Sequence, residues 1–370
     1  MPKVKYKKRS DGRYLVQLKI GYNSNGKPKY KNIYAASVQE LESKVAEFKS
    51  NLNKGFIIDD KGMTLARWAD IWLKTYKNGV EYNTYEMYRR CIEKHIKTAD
   101  IAAVKLSLLK TADIQRLIND KVAAGYTKTV TNLRQTLNQM FNMAVENDLI
   151  YKNIAKNIEV PVFGKKEKRV LTDAEKRAIA AADFTLKERA FIYLCLYAGL
   201  RRGEALALSA GDIDFKGNNI KISKTLIFKN NIPEIKHTPK TKSSIRTVPL
   251  SEPLKSTLKE YMSTLSGVQL FSSPNNALMT ETAYQRMWER ILRQINDKIK
   301  AEKPLAVDSD LTAHILRHTF ATTLFYAGID VKTAQKLLGH SSVAITLDIY
   351  THLQDNSADL SDKLTKIFSA

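Results

Sequence analysis

The amino-acid sequence predicts a multidomain chain, mainly α with α+β parts: a small β-sheet-plus-helix N-terminal module, a helical bundle, and a mixed α/β C-terminal domain. Three observations carry this expectation. Apolar residues alternate near the N-terminus, then recur at helical spacing, and return to alternation only around 218–250. Two stretches, 55–62 and 160–169, break the apolar pattern and read as linkers. The 370 residues, 44% of them hydrophobic, suffice for two or three cores of ordinary size. The expected domains are 1–56, a three-stranded sheet plus helix; 63–160, a helical bundle; and 168–370, ending in a C-terminal tail.

Each element has a local reason. Over 13–20, RYLVQLKI alternates and suits a strand, NSNGKP makes a turn, and 29–35 supplies another strand. Ser37, with Glu40 three residues on, predicts a capped helix over SVQELESKVAEFKSNL. From Thr64, TLARWADIWLKTY, YNTYEMYRRCIEKHI, TADIQRLINDKVAAG and TKTVTNLRQTLNQMFNMAVENDLI are helical, and their short loops predict a four-helix bundle. Thr172 and Glu175 form a capping box at the head of the third domain. A helix over 187–198 is expected to stop at Gly199, the next spans 202–208, and helices resume from Ala283. Gly328 ends LTAHILRHTFATTLFYAG and Gly339 ends a short helix before His340. Trp288, Tyr284, Phe320, Phe325 and Tyr326 recur at helical spacing, which core packing explains for most of them. Leu360, Leu364 and Phe368 fall on one stripe of a last short helix, which needs a partner.

Charge narrows the function. With 60 Lys+Arg against 38 Asp+Glu, the formal charge is +22, which favours polyanions. Residues 1–54 hold 13 Lys+Arg against 4 Asp+Glu, interleaved with Tyr6, Tyr14, Tyr22, Tyr30 and Tyr34. That surplus runs along strands and lacks the two-faced helix of a membrane-surface binder, so nucleic acid is the better reading. The longest apolar run covers 11 residues, 190–200, too short for a bilayer core of roughly 30 Å. No secretory signal pattern heads the chain, and a cytoplasmic location is expected. Cys91 and Cys195 lack CxxC spacing, so neither a disulfide framework nor a cysteine zinc site is expected.

Four segments place polar groups at the ends of apolar helices. In Gly199-Leu200-Arg201-Arg202-Gly203-Glu204, Arg201 sits at a helix junction where Glu204 can orient its guanidinium. In His314-Ile315-Leu316-Arg317-His318, His314 and Arg317 share a helix face. In Leu337-Leu338-Gly339-His340, His340 lies on a turn, and Tyr350 follows ten residues later. Lys240-Thr241-Lys242 heads a hairpin that runs to Arg246; alternation puts Lys240 and Lys242 on one face and cannot choose between them.

Together these residues resemble the tyrosine recombinase family of phage and transposon integrases. The arginine box matches Gly199, Leu200 and Arg201 with Glu204; the His-x-x-Arg box matches His314 and Arg317; the Leu-Gly-His box matches His340; and the nucleophile matches Tyr350 in Ile-Tyr-Thr-His. Some members place the tyrosine nine residues after that histidine instead of ten. The family lysine usually opens a Lys-Thr or Lys-Gly pair, which favours Lys240 over Lys242. The resemblance implies a mixed α/β tyrosine recombinase catalytic domain over 168–370, a helical core-type DNA-binding domain over 63–160 and an arm-type DNA-binding domain over 1–56. It implies integration or excision of a mobile element by a homotetramer on two double-stranded DNA duplexes, with an excisionase or host DNA-bending protein as accessory partners. It implies no cofactor and no metal.

Such a set suits phosphoryl transfer. Arg201 and Arg317 can offer paired donors to the non-bridging oxygens of a phosphodiester, each positioned donor being worth roughly 3 kcal/mol. His314 can take the phenolic proton of Tyr350, His340 can bind the phosphate, and Lys240 can protonate the leaving 5′ oxygen. Other readings have less support. His314 and His318 lie at i and i+4, but the HExxH glutamate of a metal site is missing. Asp212 and Asp214 read as a helix-to-strand turn, Arg202 as a surface or backbone-contacting cation, His318 as a local packing residue, and His237 and His352 as surface histidines. A type IB topoisomerase would share the chemistry without the arm module. A DNA-binding regulator that lost catalysis is disfavoured by the intact motif set, and a metal-dependent nuclease is the remaining alternative.

Overall fold

The computed structural model describes residues 6, 8–22, 28–53, 62–163, 169–237, 245–273 and 275–354, and divides into two compact units, 1–164 and 165–370. Two separate hydrophobic clusters lie within the first unit. In one, strand β1 (Tyr14–Tyr22) pairs antiparallel with β2 (Pro28–Ala35), Val16 opposite Ile33 and Leu18 opposite Lys31. Alternation sends Tyr14, Val16 and Leu18 to the face that α1 (Val38–Asn53) covers with Leu41 and Val45. Ser37 Oγ accepts from Glu40 N (3.1 Å), while the Glu40 carboxylate accepts from Ala36 N (2.9 Å). The sheet holds two strands and a single bridge, Lys8 to Tyr14, among the described residues, where the sequence suggests three strands.

The other cluster is built by α2 (Leu65–Tyr76), α3 (Tyr82–Cys91), α4 (Thr111–Ala123) and α5 (Thr127–Glu146), the four helices expected. Thr64 caps α2. One helix departs from expectation: the segment expected to run straight from Tyr82 changes to a π turn at Ile92–Ile96, and both Ile92 and Ile96 are buried. Trp68 donates its indole N–H to Met140 O at 3.0 Å, which joins α2 to α5 through a largely apolar interior.

The second unit runs α6 (Asp173–Ala181), α7 (Leu186–Tyr197), α8 (Arg202–Ala207), β3 (Ile213–Asp214), β4 (Asn219–Ile222), β5 (Thr225–Lys229), β6 (Ile232–Lys236), β7 (Arg246–Pro249), α9 (Glu252–Ser263), α10 (Glu281–Glu302), α11 (Ala313–Tyr326), α12 (Val331–Leu338) and α13 (Val343–Gln354). Its core surrounds α7, whose Phe191 meets Phe271, Tyr284 and Trp288 edge-on at 5.6–6.1 Å. Of the aromatic residues assigned to packing, Tyr326 is exposed instead. Strands β3, β4 and β7 form an antiparallel sheet, and β5 and β6 a separate hairpin whose turn residues Asn230 and Asn231 have positive φ. Arg246, expected at the end of the Lys240 hairpin, opens β7 and pairs with Ile222 of β4. Lys240 and Lys242 lie outside the described residues, as do Leu360, Leu364 and Phe368. Among the described residues, no helix is long and apolar enough to cross a membrane.

Candidate active site

The site is assembled from two helix ends. Helix α7 stops at Gly199, whose φ of +62° suits glycine and whose place would bring a Cβ to 2.3 Å from the Phe320 ring. The reversal leaves Arg201 as the N-cap of α8, where its backbone N–H donates to the Glu204 carboxylate at 2.9 Å. The other end is the C-terminus of α12, capped by Gly339 in the left-handed conformation (φ +61°).

Three guanidinium groups meet there. Arg246 donates to Leu337 O (2.7 Å), Arg317 to Leu338 O, and Arg201 to Gly339 O (3.1 Å), so each of three consecutive carbonyls holds a different arginine. These carbonyls are the negative end of a helix, which favours cations. The same three side chains surround Glu204. Arg246 binds both carboxylate oxygens (3.0 and 2.7 Å), Arg201 donates to Oε1 (2.8 Å), and an Arg317 nitrogen stands 3.8 Å from Oε2. Arg317 also donates to Gly199 O at 2.5 Å, which ties the two helix ends together.

Burial alone would raise the Glu204 carboxyl, but its hydrogen bonds with Arg246 and the charges of Arg246, Arg201 and Arg317 hold it at about 2. Arg317 is pushed down to about 9, by burial first and then by the field of Arg201, which leaves it protonated at pH 7. Three cations around one carboxylate leave a net positive site. Arg201, its side chain 40% exposed, is the arginine best placed to meet an incoming anion.

The remaining predicted residues flank this cluster. His340 follows Gly339, is buried, and shares a 2.9 Å hydrogen bond between Nδ1 and Thr346 Oγ1. Thr346 lies on α13, one helical turn before Tyr350; the structure describes the Tyr350 backbone in that helix and not its side chain. His314 is exposed, one turn from the buried Arg317, so burial separates a pair that spacing puts on one face; its ring meets His318 edge-on at 4.3 Å. Arg202 is exposed, as expected of a surface cation, and lies over the rings of Tyr284 and Phe228 (5.2 and 5.6 Å). Asp212 caps Ser209 and pairs with Lys224 at 2.7 Å, and Asp214 accepts from the turn N–H groups of Lys216 and Gly217; both carboxylates serve a turn, as expected. Among the described residues, no cluster of His, Cys, Asp and Glu is arranged to hold a metal ion. Sequence reasoning gave Arg246 no role. The signal was there: Arg246 alternates in phase with the buried Val248, a charge on the inward face of a strand.

The first unit carries cationic surfaces. A groove beside α3 and α5 is lined by Asn83, Arg90, Lys94, Lys121, Tyr126 and Asn132. On the N-terminal sheet, Arg9 and Arg13 both lie over the exposed Tyr34 ring, at 5.5 and 5.2 Å.

A helical fold of this order, with two arginines and a histidine gathered ahead of a tyrosine-bearing helix, defines the tyrosine-type recombinases. Residues 167–357 match the phage integrase family, and residues 64–122 match the N-terminal SAM-like domain of phage integrases. The chain belongs to the phage integrase family and is a site-specific recombinase. The tyrosine recombinase XerC-like protein of Caldanaerobacter subterraneus subsp. tengcongensis is 29% identical, the match covering 95% of each chain. The fold is that of the Tn1549 transposon integrase solved in complex with transposon right end DNA (TM-score 0.69, 23% identity, 83% of this chain and 100% of that one). It is also that of a lambda integrase tetramer bound to a Holliday junction (TM-score 0.59, 20% identity, 93% and 94%).

Proposed function

We propose that the chain cuts and rejoins DNA through a covalent bond between Tyr350 and a 3′ phosphate, and so integrates or excises a mobile element. The observation that carries this reading is the convergence of Arg201 and Arg317 on Glu204 and on the carbonyls that precede His340. Donors fixed in that way meet a phosphodiester without reorganising, which is where electrostatic catalysis gains most.

In the proposed step the Tyr350 Oη–P bond forms, the P–O5′ bond breaks, and Lys240 supplies the proton taken by the leaving 5′ oxygen. Arg201 and Arg317 bind the non-bridging oxygens, His340 binds the phosphate, and His314 accepts the phenolic proton. A free tyrosine, with pKa about 10, is only about one part in a thousand phenolate at pH 7, a deficit of roughly 4 kcal/mol. The positive field of the cluster opposes that deficit. One phosphoester replaces another, so rejoining a 5′ hydroxyl reverses the step without ATP or a metal.

The division of labour follows the modules: 168–370 cleaves, 63–160 grips the core site through the groove lined by Arg90, Lys94 and Lys121, and 1–56 binds arm sites through its basic, tyrosine-bearing sheet. Assembly is as a homotetramer on two duplexes in the cytoplasm, with an excisionase or host DNA-bending protein setting direction. The complexes of the Tn1549 integrase with transposon end DNA and of the lambda integrase tetramer with a Holliday junction support this reading.

The test uses nicked duplexes tiled across the junctions of the encoding element, with EDTA present. A denaturant-resistant protein–DNA adduct that is lost in Tyr350→Phe is expected. Strict magnesium dependence without an adduct would replace this reading with a nuclease.

A further inference from the structure

We propose that Arg246 is a positioning residue for strand cleavage: it neutralises Glu204, so that the carboxylate aligns Arg201 without competing with the substrate phosphate for Arg201 and Arg317. The proposal rests on the strand-cleavage reading above and adds a residue to it.

Arg246 is committed to the protein: its Nε, Nη1 and Nη2 all donate within it, to Leu337 O and to the two oxygens of Glu204. Glu204 is a buried carboxylate in contact with the arginines that must bind an anion. A phosphodiester has to compete with it for the same donors. The bidentate Arg246 pair satisfies both oxygens of Glu204, and a carboxylate so paired holds its other neighbours less tightly. The distances fit this ordering: Arg246 makes two full hydrogen bonds to Glu204, Arg201 makes one from its side chain, and Arg317 stays at 3.8 Å.

Without Arg246, Arg201 and Arg317 become the nearest counter-charges of a buried carboxylate. The neighbourhood is built around this guanidinium. A Cβ at position 339 would stand 2.8 Å from Arg246 Nη1 and 3.1 Å from its Cδ, so the Arg246 side chain packs against the α12 terminus where the φ of +61° already favours glycine.

The experiment compares wild type, Arg246→Met, Arg246→Lys, Glu204→Gln and the Glu204→Gln/Arg246→Met double variant, each as the full chain. It measures equilibrium DNA affinity and single-turnover adduct formation on a nicked duplex, at a temperature where melting curves show every protein folded. Arg246→Met is expected to lower the cleavage rate on the order of 100-fold while affinity stays within about twofold, because the loss falls on transition-state donors. Removing the carboxylate charge as well is expected to restore most of that rate in the double variant, and Arg246→Lys to fall between wild type and Arg246→Met. Arg246→Met that cleaves within about threefold of wild type, or a double variant slower than Arg246→Met, overturns the proposal. If Arg246→Met does not fold, Glu204→Gln is compared with the double variant: equal rates within about threefold support the proposal, because Arg246 has no charge left to neutralise, and a slower double overturns it. An absent wild-type adduct contradicts the strand-cleavage reading and this proposal with it, whereas a wild-type adduct with an unaffected Arg246→Met contradicts this proposal alone.

Discussion

The helical module of 62–163 and the catalytic unit bury different things. Among the described residues, the module's only buried polar side chain is Thr136, and its interior of Trp72, Phe141, Leu133 and their neighbours is otherwise apolar. The catalytic unit buries Glu175, Glu188, Glu204, Arg246, Arg317 and His340. Buried charge costs stability unless it is paired, and an apolar substitute often serves the fold equally well. Glu175 and Glu188 close capping boxes at the heads of α6 and α7, whereas Glu204, Arg246, Arg317 and His340 gather at the candidate active site, which demands fixed polar groups. The helical module has no such demand, and its cations stand at the surface.

The largest test of this contrast sets two core lesions side by side. Phe141→Ala in α5 is expected to cost about 3–5 kcal/mol through a cavity. Glu204→Ala is expected to cost a similar ~3–5 kcal/mol by leaving Arg246 and Arg317 buried without their carboxylate. Urea unfolding with probes in each unit reads both. A loss below about 1 kcal/mol for Glu204→Ala breaks the contrast.

Acid separates the units next. In the folded protein Glu204 and Glu175 both titrate at about 2, where burial alone would raise them: Arg246 lowers Glu204, and Arg169, Ser309 and the Thr172 backbone lower Glu175. Both folded values lie below the ordinary 4.5, so the stability they contribute is complete above pH 4.5 and is lost as pH falls from there toward 2. For Glu204 this amounts to roughly 3 kcal/mol. Amide exchange in α7 should accelerate between pH 4.5 and 3 beyond the intrinsic pH effect, while protection in α5 holds. Equal loss in both helices contradicts the assignment.

Gly339→Ala is a smaller structural change with a local reading. Its positive φ and the approach of Arg246 predict a loss of about 1–3 kcal/mol, together with slower adduct formation. Retained activity with reduced stability would show that the α12 terminus does not set the arginine geometry. At the low end, Ile232→Thr, on a side chain 69% exposed at the tip of the β5–β6 hairpin, should shift stability by no more than about 0.5 kcal/mol in either direction.

Legibility in the sequence followed range. Contacts made within one turn were readable: the Thr172–Glu175 box, the reversals at Gly199, Gly328 and Gly339, and the pairing of Arg201 with Glu204. The motifs also singled out Arg201, Arg317 and His340, which the fold brings to the end of α12. Arg246 was legible only as a charge on the inward face of a strand; its place in the site was not, because its partners Glu204 and Leu337 are 42 and 91 positions away and only the fold unites them. The Thr346 contact to His340 was equally hidden, since a threonine inside an apolar helix carries no signal of the ring it faces. The π turn at Ile92–Ile96 escaped because helical periodicity does not distinguish one inserted residue from a continued turn.

The most direct measurement is to digest the trapped protein–DNA adduct and locate the nucleotide by peptide mass spectrometry. The account predicts one modified peptide, carrying its phosphate on Tyr350, from wild type, and none from Tyr350→Phe. A nucleotide on any other of the 17 tyrosines, or on a serine, would contradict it.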